Sequence, residues 1–90
     1  MKSIRIIVSG RVQGVFFRQS TRELAMALQI KGWVRNLADG TVEIMATGDE
    51  KKLEQLIRWC HQGPPRAVVN NVLVSDAPLE NFTSFEIQRS

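Results

Sequence analysis

Asp39-Gly40, inside the stretch WVRNLADGTVEIMATG (residues 33 to 48), constrains this chain more than any other pair of residues. Asp-Gly strongly favours a tight turn between two strands, because glycine accepts the positive φ that such turns demand. On the outgoing side Val42, Ile44 and Ala46 alternate with Glu43 and Met45. That period of two is the pattern of a strand with one buried face. The stretch predicts a β-hairpin, and a lone hairpin buries too little to persist in water. The remaining residues must therefore supply further strands and a covering layer.

They supply both. KSIRIIVSG alternates Ile4, Ile6 and Val8 with Arg5, Ile7 and Ser9, and reads as a strand ending at Gly10. Phe17, Thr21, Leu24, Ala25 and Leu28 fall at helical spacing, which predicts a helix to about Lys31 with Gly32 as its stop. Its start is open: Ser20 with Glu23 fits a capping box that leaves Arg18 just outside the first turn. A second helix is expected after a Thr47–Glu50 capping box, with Asp49 competing for the cap. Its apolar face is Leu53, Leu56, Ile57 and Cys60, and Gly63-Pro64-Pro65 ends it. AVVNNVLVSD reads as a strand broken by Ala77-Pro78, and FTSFEIQRS offers a last short strand with Phe85 and Ile87 on one face. Strand, helix, strand, strand, helix, strand is the order of an α+β, ferredoxin-like split βαβ sandwich. Two layers are expected: a mainly antiparallel sheet with two helices on one face and the other face open.

Ninety residues suffice for one domain, residues 1–90, and not for two. A single cysteine excludes an internal disulfide, and no His/Cys spacing suggests a metal, so neither metal nor cofactor is expected. The N-terminal apolar stretch is short and interrupted by Arg5, unlike a signal peptide, and no run is long enough to span a bilayer. These features predict a cytoplasmic monomer with no membrane partner. The net charge of +3 favours an anionic partner, nucleic acid or a small phosphate. Arg5, Arg11, Arg18 and Arg22 cluster near the first loop, where they also read as a solvated basic edge.

The first loop carries the chemistry. SGRVQGVFFRQST (residues 9 to 21) places Gly10 and Gly14 between a strand and a helix. Glycines allow successive N–H groups to turn inward as an anion-binding nest. The helix N-terminus adds partial positive charge. Arg18 adds a planar fork of donors matched to two phosphate oxygens. Gly10, Arg11, Val12, Gln13, Gly14, Val15 and Phe16 are thus candidates for a phosphate cradle, with Phe16 and Phe17 as walls and anchors. The same spacing also suits a plain strand-to-helix connection. It is neither a Walker loop nor a dinucleotide fingerprint. Asn36, mid-strand where asparagine is disfavoured, offers an uncharged donor and acceptor that could hold a water. His61 reads as a helix C-terminal residue and Cys60 as a small core residue.

Two motifs carry a family resemblance. SGRVQGVFFRQST resembles the acylphosphatase signature, in which a Gly-x-Val-Gln-Gly-Val loop leads to Phe-Arg and then a Thr three residues beyond the Arg. Gly32, Trp33, Val34, Arg35, Asn36, Gly40, Val42 and Gly48 resemble its second signature, in order and register. The chain departs from many relatives at Phe16, where they carry a small residue, and from some at Leu37, where they carry a polar one. The resemblance implies hydrolysis of the carboxyl-phosphate anhydride of a small acyl phosphate, releasing inorganic phosphate. It implies that the loop from Gly10 to Phe16 and Arg18 bind the phosphate, and that Asn36 orients the attacking water. It implies no metal and no covalent enzyme intermediate.

Two other functions stay in view. RNA-recognition domains share the split βαβ layout and stack bases on aromatics of their central strands. SIRIIVS and TVEIMAT contain no aromatic residue, so nucleic acid is not the expected partner. A non-catalytic anion-binding domain would keep the cradle but turn over poorly, and Phe16 at the loop rim is its only motive.

Overall fold

A computed structural model describes residues 1–89. Seven elements follow in order: β1 (Lys2–Arg11), α1 (Phe17–Ala27), β2 (Lys31–Asn36), β3 (Val42–Gly48), α2 (Glu50–Gln62), β4 (Val68–Ala77) and β5 (Phe85–Ile87). They form one five-stranded sheet ordered β4-β1-β3-β2-β5. Strands β1 and β3, β1 and β4, and β2 and β3 pair antiparallel; β5 adds parallel to β2. This is the expected ferredoxin-like sandwich.

The inward residues of the strands meet the apolar faces of both helices. Ile4, Ile6, Val8, Val34, Val42, Ile44 and Ala46 pack with Phe17 and Ala25 of α1 and Leu53, Leu56 and Cys60 of α2, each at most 2% exposed. The opposite face carries Arg5, Trp33, Arg35, Glu43 and Met45, which alternate with that core in the strand register. Glu43 is nevertheless buried there, taking bonds from Arg5 Nε at 2.5 Å and Arg35 Nε at 2.7 Å. Arg35 lies over the Trp33 ring, 4.9 Å from its centroid.

The hairpin forms as expected. Leu37 N–H donates to the Thr41 carbonyl at 2.9 Å, Gly40 N–H to the Leu37 carbonyl at 3.1 Å, and Gly40 takes φ 92°. Asp39 Oδ1 accepts from the Thr41 amide and hydroxyl, fixing the turn.

Helix ends differ from expectation in instructive ways. No Ser20–Glu23 capping box forms: α1 starts at Phe17 behind Phe16, and Arg18 lies inside its first turn. Helix α1 stops before Lys31, because Gln29 takes φ 58° and the amides of Gln29 and Ile30 reach back to the Met26 and Ala25 carbonyls. That is a Schellman stop with glutamine in the left-handed position. It delivers Ile30, 1% exposed, to the core. Gly32 is not a helix stop but a β2 residue, where any Cβ would overlap the Met45 carbonyl oxygen. Asp49, not Thr47, precedes α2, and makes no side-chain cap bond. Asn36 is the last residue of β2, not a mid-strand one.

Candidate active site

Five residues, 12 to 16, connect β1 to α1. The segment is pinned from beneath: Val12 and Val15 are buried, and Phe17 packs on Trp59 with ring centroids 5.2 Å apart. Between these anchors the backbone turns left-handed twice, at Gly14 (φ 74°) and Phe16 (φ 66°). A Cβ at Gly14 would meet nothing within 4 Å, so conformation and not space selects glycine there. Phe16 adopts the same region with a bulky side chain, at a cost of about 1–2 kcal/mol. The residue is 72% exposed, so little burial offsets that cost. The amides of residues 12 to 16 donate to no carbonyl among the described residues. A row of unpaired N–H groups in alternating conformation, running into a helix N-terminus, is how backbone binds an anion.

The loop opens on a cleft of about 310 Å³. Val12, Gly14, Phe16, Phe17, Arg18, Gln19, Asn36, Ile87 and Arg89 line it, which brings together the arginine and the asparagine singled out by sequence. Among the described residues, two arginines and no carboxylate line the cleft, so it favours an anion. Arg18 makes no ion pair among the described residues. Asn36 Oδ1 is buried without a hydrogen-bond partner among the described residues. Such an orphan acceptor costs about 1–3 kcal/mol and calls for an explanation.

The other cradle candidates lie outside the cleft lining. Gly10 sits at a register shift in the β1–β4 pairing, where a Cβ would overlap the Val68 carbonyl oxygen. Arg11 ends β1 opposite Val68, and Val15 turns into the core. Gln13 sends its side chain to the hairpin: Nε2 donates to the Leu37 carbonyl at 2.8 Å and the Thr41 carbonyl at 2.9 Å. Sequence reasoning missed Gln19, Ile87 and Arg89. The last two arrive because β5 pairs with β2, Val34 opposite Ile87, with the Gln88 amide bonded to the Val34 carbonyl. A parallel pairing so far along the chain leaves no local signal.

Among the described residues, no three His, Cys, Asp or Glu side chains gather as a metal-ligand set. Burial pushes the Cys60 thiol up to about 12, and its side chain is fully enclosed in the core. His61 Nδ1 lies 3.0 Å from the Ile57 carbonyl on the exposed side of α2.

Solved acylphosphatase structures share this architecture. The acylphosphatase family model matches residues 4–87. The acylphosphatase of Rubrobacter xylanophilus is 56% identical over 77 residues, covering 86% of this chain and 70% of that protein. The acylphosphatase structure from Bacillus subtilis superposes with a TM-score of 0.95 at 39% identity, covering 98% of this chain and 99% of that one. The Coxiella burnetii acylphosphatase structure gives 0.94 at 42% identity, covering 97% of this chain and 92% of that one. Motifs, fold and overall similarity agree, and this chain belongs to the acylphosphatase family.

Proposed function

We propose that this chain hydrolyses acyl phosphates to a carboxylate and inorganic phosphate, using Arg18 and the loop to bind phosphate and Asn36 to orient water. The observation that carries this reading is that Arg18 of α1 and Asn36 of β2, 18 residues apart in sequence, line one cleft beside the loop. A neutral side-chain amide at the cleft wall can hydrogen-bond a water without deprotonating it and leave the water a lone pair free to attack.

The amides of residues 12 to 16 and the Arg18 guanidinium receive the phosphoryl oxygens; Gly10 and Arg11 shape the loop from the strand behind it. The water oxygen bonds to phosphorus as the bond from phosphorus to the acyl oxygen breaks, and a phosphoryl oxygen takes up the water's proton. The leaving carboxylate has a conjugate-acid pKa of roughly 4, by analogy with Glu, so it departs without a general acid. Positioning and charge stabilisation then supply the rate. Neither a metal nor a covalent enzyme intermediate enters this scheme.

The reading extends to residues 1–90 as one domain, acting as a cytoplasmic monomer on a small-molecule substrate. No helix among the described residues is long and apolar enough to cross a membrane. Nucleic acid does not suit the open sheet face: its aromatic there, Trp33, is already covered by Arg35.

The test is the ultraviolet decay of benzoyl phosphate, with and without EDTA, for the parent protein, Arg18→Ala and Asn36→Ala. EDTA-resistant decay lost in both variants is the expected result. Retained activity in Arg18→Ala sinks the site assignment. A parent protein that binds phosphate without hydrolysing benzoyl phosphate instead identifies a non-catalytic anion-binding domain.

A further inference from the structure

Gln13 has a task that the phosphate cradle does not explain. Its backbone lies inside the loop, between Val12 and Gly14, while its side chain leaves the loop altogether. Both protons of the Nε2 amide are used: one bond runs 2.8 Å to the Leu37 carbonyl, the other 2.9 Å to the Thr41 carbonyl. These two carbonyls are not arbitrary acceptors. Leu37 directly follows Asn36, and Thr41 directly precedes Val42, the cross-strand partner of Asn36. The Leu37 amide also bonds the Thr41 carbonyl, so Gln13 grips the hairpin where its loop closes. No other side-chain hydrogen bond among the described residues joins residues 12 to 16 to the hairpin.

We propose that Gln13 is a positioning residue that sets the distance and angle between the phosphate on the loop and the water held by Asn36. The inference rests on the acylphosphatase reading of this cleft. A primary amide suits the task because it offers two protons in one plane, at a fixed angle, to two carbonyls. Glutamate at this site presents only acceptors to those carbonyls, and methionine fills the space with no donor. A displacement of about 1 Å between reacting groups can cost 10²-fold in rate. Losing the bridge therefore acts on turnover, whereas binding depends on amides and an arginine that stay on the loop side.

The experiment is a double-mutant cycle on benzoyl phosphate hydrolysis. The proteins are the parent, Gln13→Met, Asn36→Ala and the double variant, with competitive inhibition by inorganic phosphate measured in each. Gln13→Met is expected to lower kcat about 10- to 100-fold. KM and the phosphate inhibition constant stay within about two-fold, because uniform binding is untouched. In the Asn36→Ala background the same substitution lowers kcat by less than about two-fold, because its effect passes through Asn36. An unchanged kcat in Gln13→Met overturns the inference. So does phosphate inhibition that weakens as much as kcat falls, or an equal loss in both backgrounds. If circular dichroism shows Gln13→Met unfolded, Gln13→Asn replaces it in the cycle, since its donor falls one methylene short of the hairpin. A parent protein without hydrolysis overturns the acylphosphatase reading itself, whereas an active parent with an additive cycle overturns the role of Gln13 alone.

Discussion

Asn36 and Glu43 sit on the two strands of one hairpin, facing opposite sides of the sheet, and both bury an oxygen. Glu43 is 5% exposed in its side chain, and each of its carboxylate oxygens takes a guanidinium bond. Asn36 offers an uncharged amide oxygen, easier to satisfy, and leaves it with no partner among the described residues. A fold that can satisfy a buried carboxylate on one face of a hairpin has the means to satisfy an amide on the other. The difference teaches where the chain is optimised for stability and where it is not: the open face is internally complete, and the cleft is incomplete until something enters it.

The comparison breaks most sharply at Arg18. Arg18→Ala removes a charge-stabilising donor, and a loss of 10²–10³ or more in kcat/KM on benzoyl phosphate is expected. A loss below ten-fold places the charge-stabilising group elsewhere. Asn36→Ala is expected to lower kcat about 10²-fold while leaving the unfolding free energy from urea titration equal or higher, by up to about 1 kcal/mol, because it deletes an unsatisfied acceptor. A drop in stability of more than that makes Asn36 a structural residue, like its counterpart.

Glu43→Gln sharpens the contrast from the other side. Stability falls by about 1–2 kcal/mol, less than for a fully enclosed ion pair because both arginines remain partly solvated. Turnover per folded molecule stays near the parent value. The effect depends on pH with a definite sign. Burial pushes the Glu43 carboxyl up, but bonds and charge from Arg5 and Arg35 outweigh it and hold the group below its ordinary 4.5. The stabilisation is therefore complete above that value and fades as pH falls through the lower folded one. Urea midpoints of parent and variant should differ at pH 7 and converge in acid. A gap that does not narrow at all as pH falls below 4.5 contradicts the ion-pair account.

Cys60 gives the smallest effect, a null one. With its thiol pushed up to about 12 in the core, iodoacetamide at pH 8 should label unfolded protein only. Labelling of the native protein at the rate of a free thiol refutes that burial.

The hairpin, both helical faces and the loop between Gly10 and Arg18 were legible because each is written in neighbouring residues: Asp-Gly, apolar spacing, paired glycines. Arg18 and Asn36 were legible as candidates through the two motifs, and the cleft holds both. What the sequence hid is of another kind. Phe16 and Gln29 take left-handed backbone for which neither residue type gives a sign, so the sequence leaves the start of α1 open and places its end too late. Gly32 looked like a helix stop because its real constraint, the Met45 carbonyl across the sheet, is remote in sequence. The direction of the Gln13 side chain, and the arrival of Ile87 and Arg89, depend on which strands become neighbours. That is decided by packing of the whole chain.

Since β1 and β2 both run antiparallel to β3, they run parallel to each other, and the loop and Asn36 leave the sheet at the same end. The spacing between their strands is two hydrogen-bonded steps, about 10 Å. The sheet is thus a coarse ruler with β3 as its middle graduation: backbone geometry sets the separation of the strands, and the Gln13 bridge adjusts only the final approach of loop to hairpin. Drift among surface residues leaves that gauge unaltered. A one-residue slip of β2 along β3 would not shorten it, but would turn Asn36 to the wrong side of the sheet.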